Sequence, residues 1–341
     1  MEEFENCGED FDYLNLESTG KSKKRILLKN RKSASGVIHK GIVVTTKARF
    51  YIVKDIEEQE EKFYKCVVSG SLEVGHPHNT LVTVGDRCEF SISIQKADGL
   101  SLARIVKVEE RKTFLMRKSI SGNKEDILAS NMDQVLILLS ANNPPYNLRM
   151  LDRILVASEF GNLDAIICVN KMDIANYENI RKEFEVYEHI GYKVLYISAV
   201  KSYGIDKVYE IIKNKETLFI GVSGVGKSTL VNALFGKEIQ KVGQLAKNLR
   251  GKHTTTSCNY LNLDAKTVII DSPGFREFDL YGISREELPF YFREFETYFQ
   301  RCKFQPCSHT HEPNCAVKTA LMKGKISSQR YFSYIEIFES I

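Results

Sequence analysis

Short runs of β-branched and aromatic residues, separated by charged or glycine-containing turns, fill the chain from residue 40 to residue 112. Five such runs in about 70 residues predict five short strands and therefore a small β-barrel. An OB-like barrel, a fold that often binds nucleic acid, fits this pattern. An SH3-like barrel fits it as well, and a fold by itself does not decide function. We assign residues 40–112 to an N-terminal OB-like β-barrel. The runs begin at Gly41, Phe50, Phe63, Val84 and Leu102.

The pattern changes after residue 112, where continuous apolar runs alternate with segments of helical spacing. The runs at 134–140 and 163–170 are uninterrupted, as expected of strands that are buried on both faces. A further strand is predicted at 193–198, and helices are predicted at 151–160, 180–187 and 205–212. This alternation is typical of a parallel sheet with helices on both faces, so residues 113–280 are predicted to form an α/β domain.

Charge is segregated at the start of the chain. Residues 1–20 hold seven acids and no Lys or Arg, whereas residues 21–40 hold eight bases and no acid. Blocks of like charge with little apolar content do not offset the entropy cost of folding, so residues 1–39 are predicted to form a mobile charged tail. The basic half would attract a phosphate backbone, but a solvated tail without a partner explains the same pattern.

Composition narrows the class of protein. The 48 Lys and Arg against 44 Asp and Glu give a net charge of +4, and the 43% hydrophobic content is ordinary for a globular protein. No stretch approaches the roughly 18 apolar residues that a membrane helix needs. The N-terminus lacks the apolar run of a signal peptide, so we expect a cytoplasmic protein that does not bind membranes. The eight cysteines are then reduced thiols or metal ligands.

A glycine-rich loop carries the clearest chemistry. Residues 221–228 read Gly-Val-Ser-Gly-Val-Gly-Lys-Ser, after an apolar run and before a helical segment. This is the spacing of a P-loop in its required context. The glycines let backbone N–H groups turn toward phosphate oxygens, and the helix N-terminus adds a favourable dipole. Lys227 is expected to reach the β- and γ-phosphates, and Ser228 is expected to bind Mg²⁺.

A second motif of the phosphate side follows the apolar run 268–270, where the chain reads Asp271-Ser-Pro-Gly274. A carboxylate at a strand end holds Mg²⁺ through water, and the N–H of Gly274 is placed to sense the γ-phosphate. A strand-end Asp with a Pro-Gly turn is common, so the motif becomes informative only because a P-loop precedes it.

Two further motifs indicate that the base is guanine. Asn170-Lys-Met-Asp173 and Ser198-Ala-Val200 each begin at the carboxyl end of a predicted strand. The Asp173 carboxylate can accept hydrogen bonds from guanine N1–H and the N2 amino group together, a donor pair that adenine lacks. Ser198 and Ala199 could support the base through a backbone N–H to O6. Asn-Lys-x-Asp alone also fits a helix N-cap, but both motifs lie at strand carboxyl ends, where open α/β sheets bind ligands.

The order of these motifs is permuted. Common GTPases place the P-loop first, whereas here the guanine motifs precede it, and a sheet whose termini lie close together tolerates such a permutation. Between the P-loop and Asp271 lies Gly-Lys-His-Thr-Thr-Thr at 251–256. One of these threonines should complete the Mg²⁺ shell. We favour Thr255, but the pattern does not separate it from Thr254 and Thr256.

Cysteines cluster near the C-terminus. Cys302, Cys307, His309 and Cys315 lie within 14 residues, and three thiols with one imidazole form a common tetrahedral zinc set. His311 is a competing ligand, and chance clustering of thiols is the alternative. Aromatic residues at 290–299 and a helical pattern at 331–338 would supply a small core. Residues 281–341 are therefore predicted to be a mainly helical zinc-binding domain that needs the metal to fold.

These motifs in this order make the chain resemble the small ribosomal subunit-dependent GTPase A (RsgA) family of circularly permuted GTPases over about residues 40–341. The resemblance implies an OB-fold, a permuted GTPase domain and a domain with one Zn²⁺. It implies hydrolysis of GTP to GDP and phosphate, stimulated by the small (30S) subunit, in late maturation of that subunit. The implied partners are the small subunit and its 16S rRNA, and we expect the protein to act as a monomer.

The resemblance also implies residue roles. The zinc ligands would be the four residues of the cysteine cluster, and His253 is indicated as a catalytic residue, although it could equally face rRNA. Many GTPases place a water-orienting Gln after the glycine of the Asp-x-x-Gly motif, and this chain has Phe275 there, so slow intrinsic hydrolysis is expected. The nucleotide-binding set would be Asn170, Lys171, Asp173, Ser198, Ala199, Gly221, Ser223, Gly224, Val225, Gly226, Lys227, Ser228, Thr229, Asp271 and Gly274. Catalysis would involve His253, Lys227 and Thr255, and Mg²⁺ would be held by Ser228, Thr255 and Asp271.

Two other functions fit the sequence. In the first, the protein is a GTP-gated RNA-binding factor whose hydrolysis is a release timer or incidental. In the second, it is a P-loop kinase or ATPase. Competition by ATP separates the second from a GTPase, because the guanine motifs predict that ATP competes poorly.

Overall fold

The computed structural model describes residues 12–15, 25–28, 37–47, 50–58, 60–97, 99–119, 122, 124–236 and 258–341. The loop at 251–256, with His253 and Thr255, lies outside the described residues, so their predicted roles stay predictions. The chain forms two compact units, residues 1–111 and residues 112–341. Within the described residues no helix is long and apolar enough to cross a membrane.

Two short strands are described in the predicted tail. β1 (Asp12–Asn15) and β2 (Arg25–Leu28) pair antiparallel. The prediction of a mobile tail over 1–39 stays a prediction.

A closed five-stranded barrel follows, and it confirms the predicted OB-like fold. Its strands are β3 (Ile38–Lys47), β4 (Phe50–Asp55), β5 (Phe63–Val74), β6 (Arg87–Ala97) and β7 (Leu100–Val108). The strands pair in the order β3-β4-β5-β7-β6, and β6 closes onto β3. Only the pairing of β5 with β7 is parallel among these five strands. Alternate residues point inward to form the core, which includes Val43, Val53, Cys66, Phe90 and Ile105.

The fourth barrel strand begins later than the sequence pattern predicts, at Arg87 rather than at Val84. The reason is a turn in which the Asp86 carboxylate accepts a hydrogen bond from the Thr83 N–H at 2.7 Å. Asp86 also binds the buried Arg111 guanidinium in a bidentate pair, with both distances 2.8 Å. This buried pair ties the last residue of the first unit to the barrel.

The second unit begins with a hairpin that the sequence pattern did not predict. β8 (Phe114–Lys118) and β9 (Glu125–Ser130) pair antiparallel with an irregular register after Leu115. Both strands carry charged residues, which masked the alternation expected of a half-buried strand.

The α/β core has six strands and four described helices. In chain order these are β10 (Gln134–Ser140), α1 (Leu148–Phe160), β11 (Asp164–Asn170), α2 (Tyr177–His189), β12 (Lys193–Tyr196), α3 (Ile205–Ile212), β13 (Glu216–Gly221), α4 (Lys227–Phe235), β14 (Asn259–Asn262) and β15 (Val268–Asp271). The order across the sheet is β12-β11-β10-β13-β15-β14, and only β14 runs antiparallel to its neighbour here.

Both faces of this sheet are covered. Leu136 and Leu138 of β10 join a cluster with Val208 of α3 and Leu230 of α4. The alternate residues of β10, such as Ile137, are also fully buried. The continuous apolar runs thus predicted the buried parallel strands correctly.

The C-terminal residues form 3-10 turns at Leu288–Tyr291 and Arg293–Arg301, followed by α5 (Ala316–Met322) and α6 (Ser328–Ser340). Arg330 of α6 is fully buried and donates to Asp152 of α1 at 2.6 Å and to Glu294 at 2.7 Å. Tyr187 of α2 donates to the same Asp152 carboxylate at 2.8 Å. A buried charge that lost these partners would be costly, so this network joins the C-terminal residues firmly to α1 and α2.

Candidate functional site: a nucleotide site and a Cys3His cluster

Four motif-bearing loops meet at one edge of the parallel sheet. The chain leaves β11 at Asn170, β12 just before Ser198, β13 at Gly221 and β15 at Asp271. Since these strands are parallel, their carboxyl ends lie on the same side, where α/β proteins bind ligands.

Asn170 ties two of these loops together. Its buried side chain donates through Nδ2 to the Val225 carbonyl at 2.9 Å and accepts through Oδ1 from the Ala199 N–H at 2.9 Å. A Cβ on Gly226 would lie 2.4 Å from Asn170 Nδ2, and Gly226 has a φ of +96°, so glycine is required there. The predicted residues Asn170, Ala199, Val225 and Gly226 are thus brought together.

Lys171 and Asp173 are also held by hydrogen bonds to neighbouring loops. Lys171 adopts a left-handed φ of 66°, and its Nζ donates to the Gly224 carbonyl at 2.7 Å and to the Asn143 carbonyl. The Ser198 hydroxyl donates to Asp173 Oδ1 at 2.6 Å. This hydrogen bond is the main reason that the pKa of Asp173 is lowered, so the exposed carboxylate stays ionised as an acceptor.

The P-loop presents an open helix N-terminus. α4 begins at Lys227 after Gly226, which has no side chain to cap the first N–H groups. Ser223, Gly224, Ser228 and Thr229 are exposed, whereas Val225 packs into the core. Uncapped N–H groups with the helix dipole behind them form an anion-binding site.

On the phosphate side the predicted residues are paired with one another. Lys227 Nζ donates to Asp271 Oδ1 at 2.7 Å and to the Ser272 carbonyl. Gly274 lies against the P-loop, because a Cβ there would be 3.1 Å from Ser223 Cα. The Ser223 N–H donates to the Phe275 carbonyl at 3.4 Å. The segment after β15 therefore rests directly on the P-loop.

Phe275 is buried, and its ring packs against Phe278 with 5.7 Å between centroids. Because the ring is buried and has no hydrogen-bonding group, it cannot orient a water molecule by hydrogen bonding.

The four predicted zinc ligands converge in the C-terminal residues. The ligand atoms of Cys302, Cys307, His309 and Cys315 all lie within 4.8 Å of one another. His309 Nδ1 is 3.3 Å from Cys315 Sγ and 3.6 Å from Cys302 Sγ, and the Cys302 and Cys315 sulfurs are 3.9 Å apart. A tetrahedral zinc ion spaces such ligands about 3.5–3.8 Å apart, so the donor set and its spacing fit Zn²⁺.

Without a cation, the thiols of this cluster would stay protonated. Burial, with the other thiols close by, raises the pKa of Cys307 to about 12 and also raises that of Cys315. Burial lowers the pKa of His309, which leaves the imidazole neutral as a ligand requires. Thiols packed this closely ionise together only when a metal ion supplies the positive charge. His311 is exposed and bonds to the Thr310 hydroxyl, outside this group.

Neighbouring side chains orient His309. Its ring stacks on Phe299 at 5.6 Å with 17° between the planes, and Phe295 meets it edge-on at 5.8 Å. Tyr331 of α6 donates to the His309 carbonyl at 2.8 Å, and Tyr334 donates to the Ser308 carbonyl. The same helix that carries Arg330 thus holds the loop of the cluster.

Two contributors to the site were missed in the sequence. The Asn143 carbonyl accepts from Lys171, and Pro144 lies beside Gly224, where a Cβ would be 3.5 Å from Pro144 Cδ. The Asn-Asn-Pro-Pro run at 142–145 after a buried strand was the available signal. The second contributor is Arg117 of the β8–β9 hairpin, whose guanidinium lies 6.0 Å from the centre of the Phe275 ring.

The chain is similar in sequence to known GTPases. The sequence profile of the RsgA GTPase family matches residues 108–281. Proteins named small ribosomal subunit biogenesis GTPase RsgA are similar over most of the chain. The one from Chlorobaculum parvum is 37% identical over 310 residues, covering 88% of this chain and 97% of that relative. The one from Flavobacterium psychrophilum is 36% identical over 305 residues, covering 88% and 92%.

Solved structures give the same result for the fold. The crystal structure of YjeQ from Thermotoga maritima aligns with a TM-score of 0.67 and 30% identity, over 89% of this chain and 98% of that one. YloQ, described as a circularly permuted GTPase, aligns with a TM-score of 0.65 and 25% identity, over 91% and 97%. The permuted order that the motifs predicted is thereby confirmed.

Proposed function

The chain belongs to the RsgA GTPase family and is a GTPase of small ribosomal subunit biogenesis, and from this premise we propose how its residues bind GTP, hydrolyse it and meet the ribosome. One observation supports the nucleotide site most strongly. The guanine motifs, the P-loop and the Asp-Ser-Pro-Gly motif lie at one sheet edge, and Asn170 hydrogen-bonds to two of these loops at once.

The base is recognised by Asp173. Its ionised carboxylate, held by Ser198, accepts from guanine N1–H and the N2 amino group. Adenine offers no such donor pair and would leave the carboxylate without partners, so ATP is rejected by about 10⁴-fold. Asn170 acts chiefly by joining the loops, because both ends of its amide already have partners.

The phosphates are held by the P-loop from Gly221 to Thr229. Its backbone N–H groups surround the phosphate oxygens, and Lys227 exchanges Asp271 for the β- and γ-phosphates. Ser228 and Asp271, with Thr255, would hold Mg²⁺, which neutralises the developing charge when it is bound. The Gly274 N–H faces the γ-phosphate, since Gly274 lies against Ser223 of the P-loop.

Intrinsic hydrolysis is slow because Phe275 occupies the place of a water-orienting side chain and is buried. We infer that binding to the small subunit speeds the reaction, and that His253 is the candidate to orient the water. Catalysis is then mostly positioning and charge neutralisation.

The proposed place of action is the small ribosomal subunit. We expect the protein to act in the cytoplasm, as a monomer, in late maturation of the subunit, with 16S rRNA contacting the barrel, the basic tail and the zinc-binding residues. The eight bases of residues 21–40 support the contact of the tail. The GTP-gated RNA-binding factor in which hydrolysis is incidental is not favoured, because the relatives are named as GTPases.

The decisive experiment measures GTP hydrolysis with and without purified small subunits across a salt series. We expect a low basal rate, strong stimulation, and stimulation that weakens as salt rises, because phosphate contacts are screened. ATP in excess should compete poorly. Stimulation by large subunits alone, or equal competition by ATP, would overturn the proposal. Metal analysis of the purified protein should find one zinc, lost in Cys315→Ser.

A further inference from the structure

The β8–β9 hairpin contacts the phosphate side of the site at several described points. The Cys258 thiol, just before β14, donates to the Leu128 carbonyl at 3.1 Å. The Lys118 N–H donates to the Asp279 carbonyl at 2.8 Å. Arg117 lies over the Phe275 ring at 6.0 Å. The hairpin therefore contacts both the segment that leads into β14 and the segment that follows β15.

Arg117 itself is fixed on the hairpin. Its side chain is 13% exposed, and its Nε donates to Asp126 Oδ2 at 3.0 Å. Arg117 and Asp126 are direct cross-strand partners, so the ion pair spans the two strands. A guanidinium held in this way is attracted to the face of a nearby aromatic ring, and this attraction strengthens as water is excluded.

Phe275 transmits this position to the P-loop. The Phe275 ring contacts Arg117 and Phe278. The Phe275 backbone pairs with Val222 of the P-loop in a parallel bridge. The preceding residue is Gly274, which lies against Ser223. A shift of the ring therefore moves the Gly274 N–H relative to the phosphate site.

We propose that Arg117 is a positioning residue for GTP hydrolysis, which sets the place of the Gly274 N–H by holding the Phe275 ring. This inference rests on the proposed function, because Gly274 is the group assigned to the γ-phosphate. The aromatic ring that replaces a water-orienting side chain thus serves as the attachment point for the hairpin.

The test is Arg117→Met, which keeps the length of the stem and removes the charge. Single-turnover GTP hydrolysis should fall about 10-fold, since small displacements of a positioning group cost this much or more. Affinity for a non-hydrolysable GTP analogue should fall about 3–10-fold more than affinity for GDP, because GDP has no γ-phosphate for Gly274 to bind. Arg117→Lys should recover most of the rate, because a cation remains over the ring.

Arg285→Met is the matched control, because Arg285 lies 5.3 Å from the Phe338 ring in the same unit, and its rate should be unchanged. A normal rate in Arg117→Met, or equal losses of GDP and GTP-analogue affinity, would overturn the inference. If Arg117→Met does not fold, Asp126→Asn tests the same positioning by weakening the ion pair that fixes Arg117, and it should also lower the rate of hydrolysis. Failure of the proposed function is distinguishable, because it would appear as hydrolysis retained in Lys227→Ala.

Discussion

The guanine side and the phosphate side of the nucleotide site are built differently. On the guanine side, Asn170 and Asp173 are held by hydrogen bonds to neighbouring loops and keep their acceptor positions. On the phosphate side, Lys227 is paired with Asp271, and the segment after Asp271 rests on Ser223. We propose that the groups of the guanine side keep their places when a nucleotide binds, whereas Lys227 exchanges Asp271 for phosphate.

This difference separates recognition from reaction. We propose that these rigid groups decide nucleotide identity, because a site whose groups are already in position costs little to fill. On the phosphate side, we expect the protein groups that bind phosphate to rearrange. Binding of a triphosphate can therefore shift the segment that leads from Asp271 toward the C-terminal residues. Those residues are joined to α1 and α2 through Arg330, Asp152 and Tyr187, and we expect them to follow the GTPase core as one body.

The largest effect is expected from Asp173→Asn. The amide N–H that replaces one carboxylate oxygen would face the N2 amino group of guanine, and two donors cannot form a hydrogen bond. Xanthine has a carbonyl at the same ring position, which can accept from this N–H. The preference for GTP over XTP should fall by about 10⁴-fold, while the Ser198 hydroxyl still finds Oδ1. Competition binding with both nucleotides measures this. The Asp173→Ala variant should lose affinity for GTP without gaining affinity for XTP. An unchanged preference for GTP over XTP in Asp173→Asn would show that Asp173 does not recognise the base.

Lys227→Ala tests the phosphate side. Hydrolysis, basal and ribosome-stimulated, should fall by at least about 10²–10³-fold, because the cation that meets the β- and γ-phosphates is gone. The ratio of GTP to ATP affinity should stay the same, because the guanine groups are untouched. Lys213→Ala, at an exposed lysine after α3, serves as the control. Turnover near the normal rate would remove Lys227 from the reaction.

Asn170→Ala tests the connection between the two sides. The change leaves the Ala199 N–H and the Val225 carbonyl without their partner, so the free energy of unfolding should fall by about 2–4 kcal/mol. The affinities for GDP and for GTP should fall by similar factors, because Asn170 contacts one loop of the guanine side and one loop of the phosphate side. Urea denaturation and nucleotide titration measure the two effects. The exposed Asn179→Ala should change stability by less than about 0.5 kcal/mol.

The smallest effect is expected from pH. The Ser198 hydrogen bond keeps the pKa of Asp173 below its ordinary value of 3.8, so the acceptor stays ionised. Guanine affinity should then be lost only as pH falls through that lowered pKa, and between about pH 5 and pH 8 GDP affinity should change only with the ionisation of the GDP phosphates themselves. Titration of GDP binding in Ser198→Ala should show the loss beginning at a higher pH. Equal profiles for the two proteins would show that Ser198 does not hold Asp173.

Much of the fold followed from local patterns. The apolar runs at β10 and β11 predicted buried parallel strands, and the P-loop spacing predicted the turn before α4, because each depends on residues close together in the chain. The start of β6 was predicted three residues early, since the turn at Asp86 depends on Arg111, which lies 25 residues away. The β8–β9 hairpin was missed for the same kind of reason, because its charged residues pair across strands.

The features of the candidate site also fall into those that the local sequence determines and those that depend on contacts between distant residues. By itself the sequence determined which residue types stand at the strand ends and that three thiols and an imidazole lie within reach of one metal, since nucleotide and zinc chemistry demand those types at those spacings. Only the tertiary structure decided that Asn170 joins two loops, that Lys227 meets Asp271, that His309 rather than His311 completes the cluster, and that Arg117 lies over Phe275. These contacts link residues far apart in the chain, so they are set by how strands and helices pack, which no local spacing encodes.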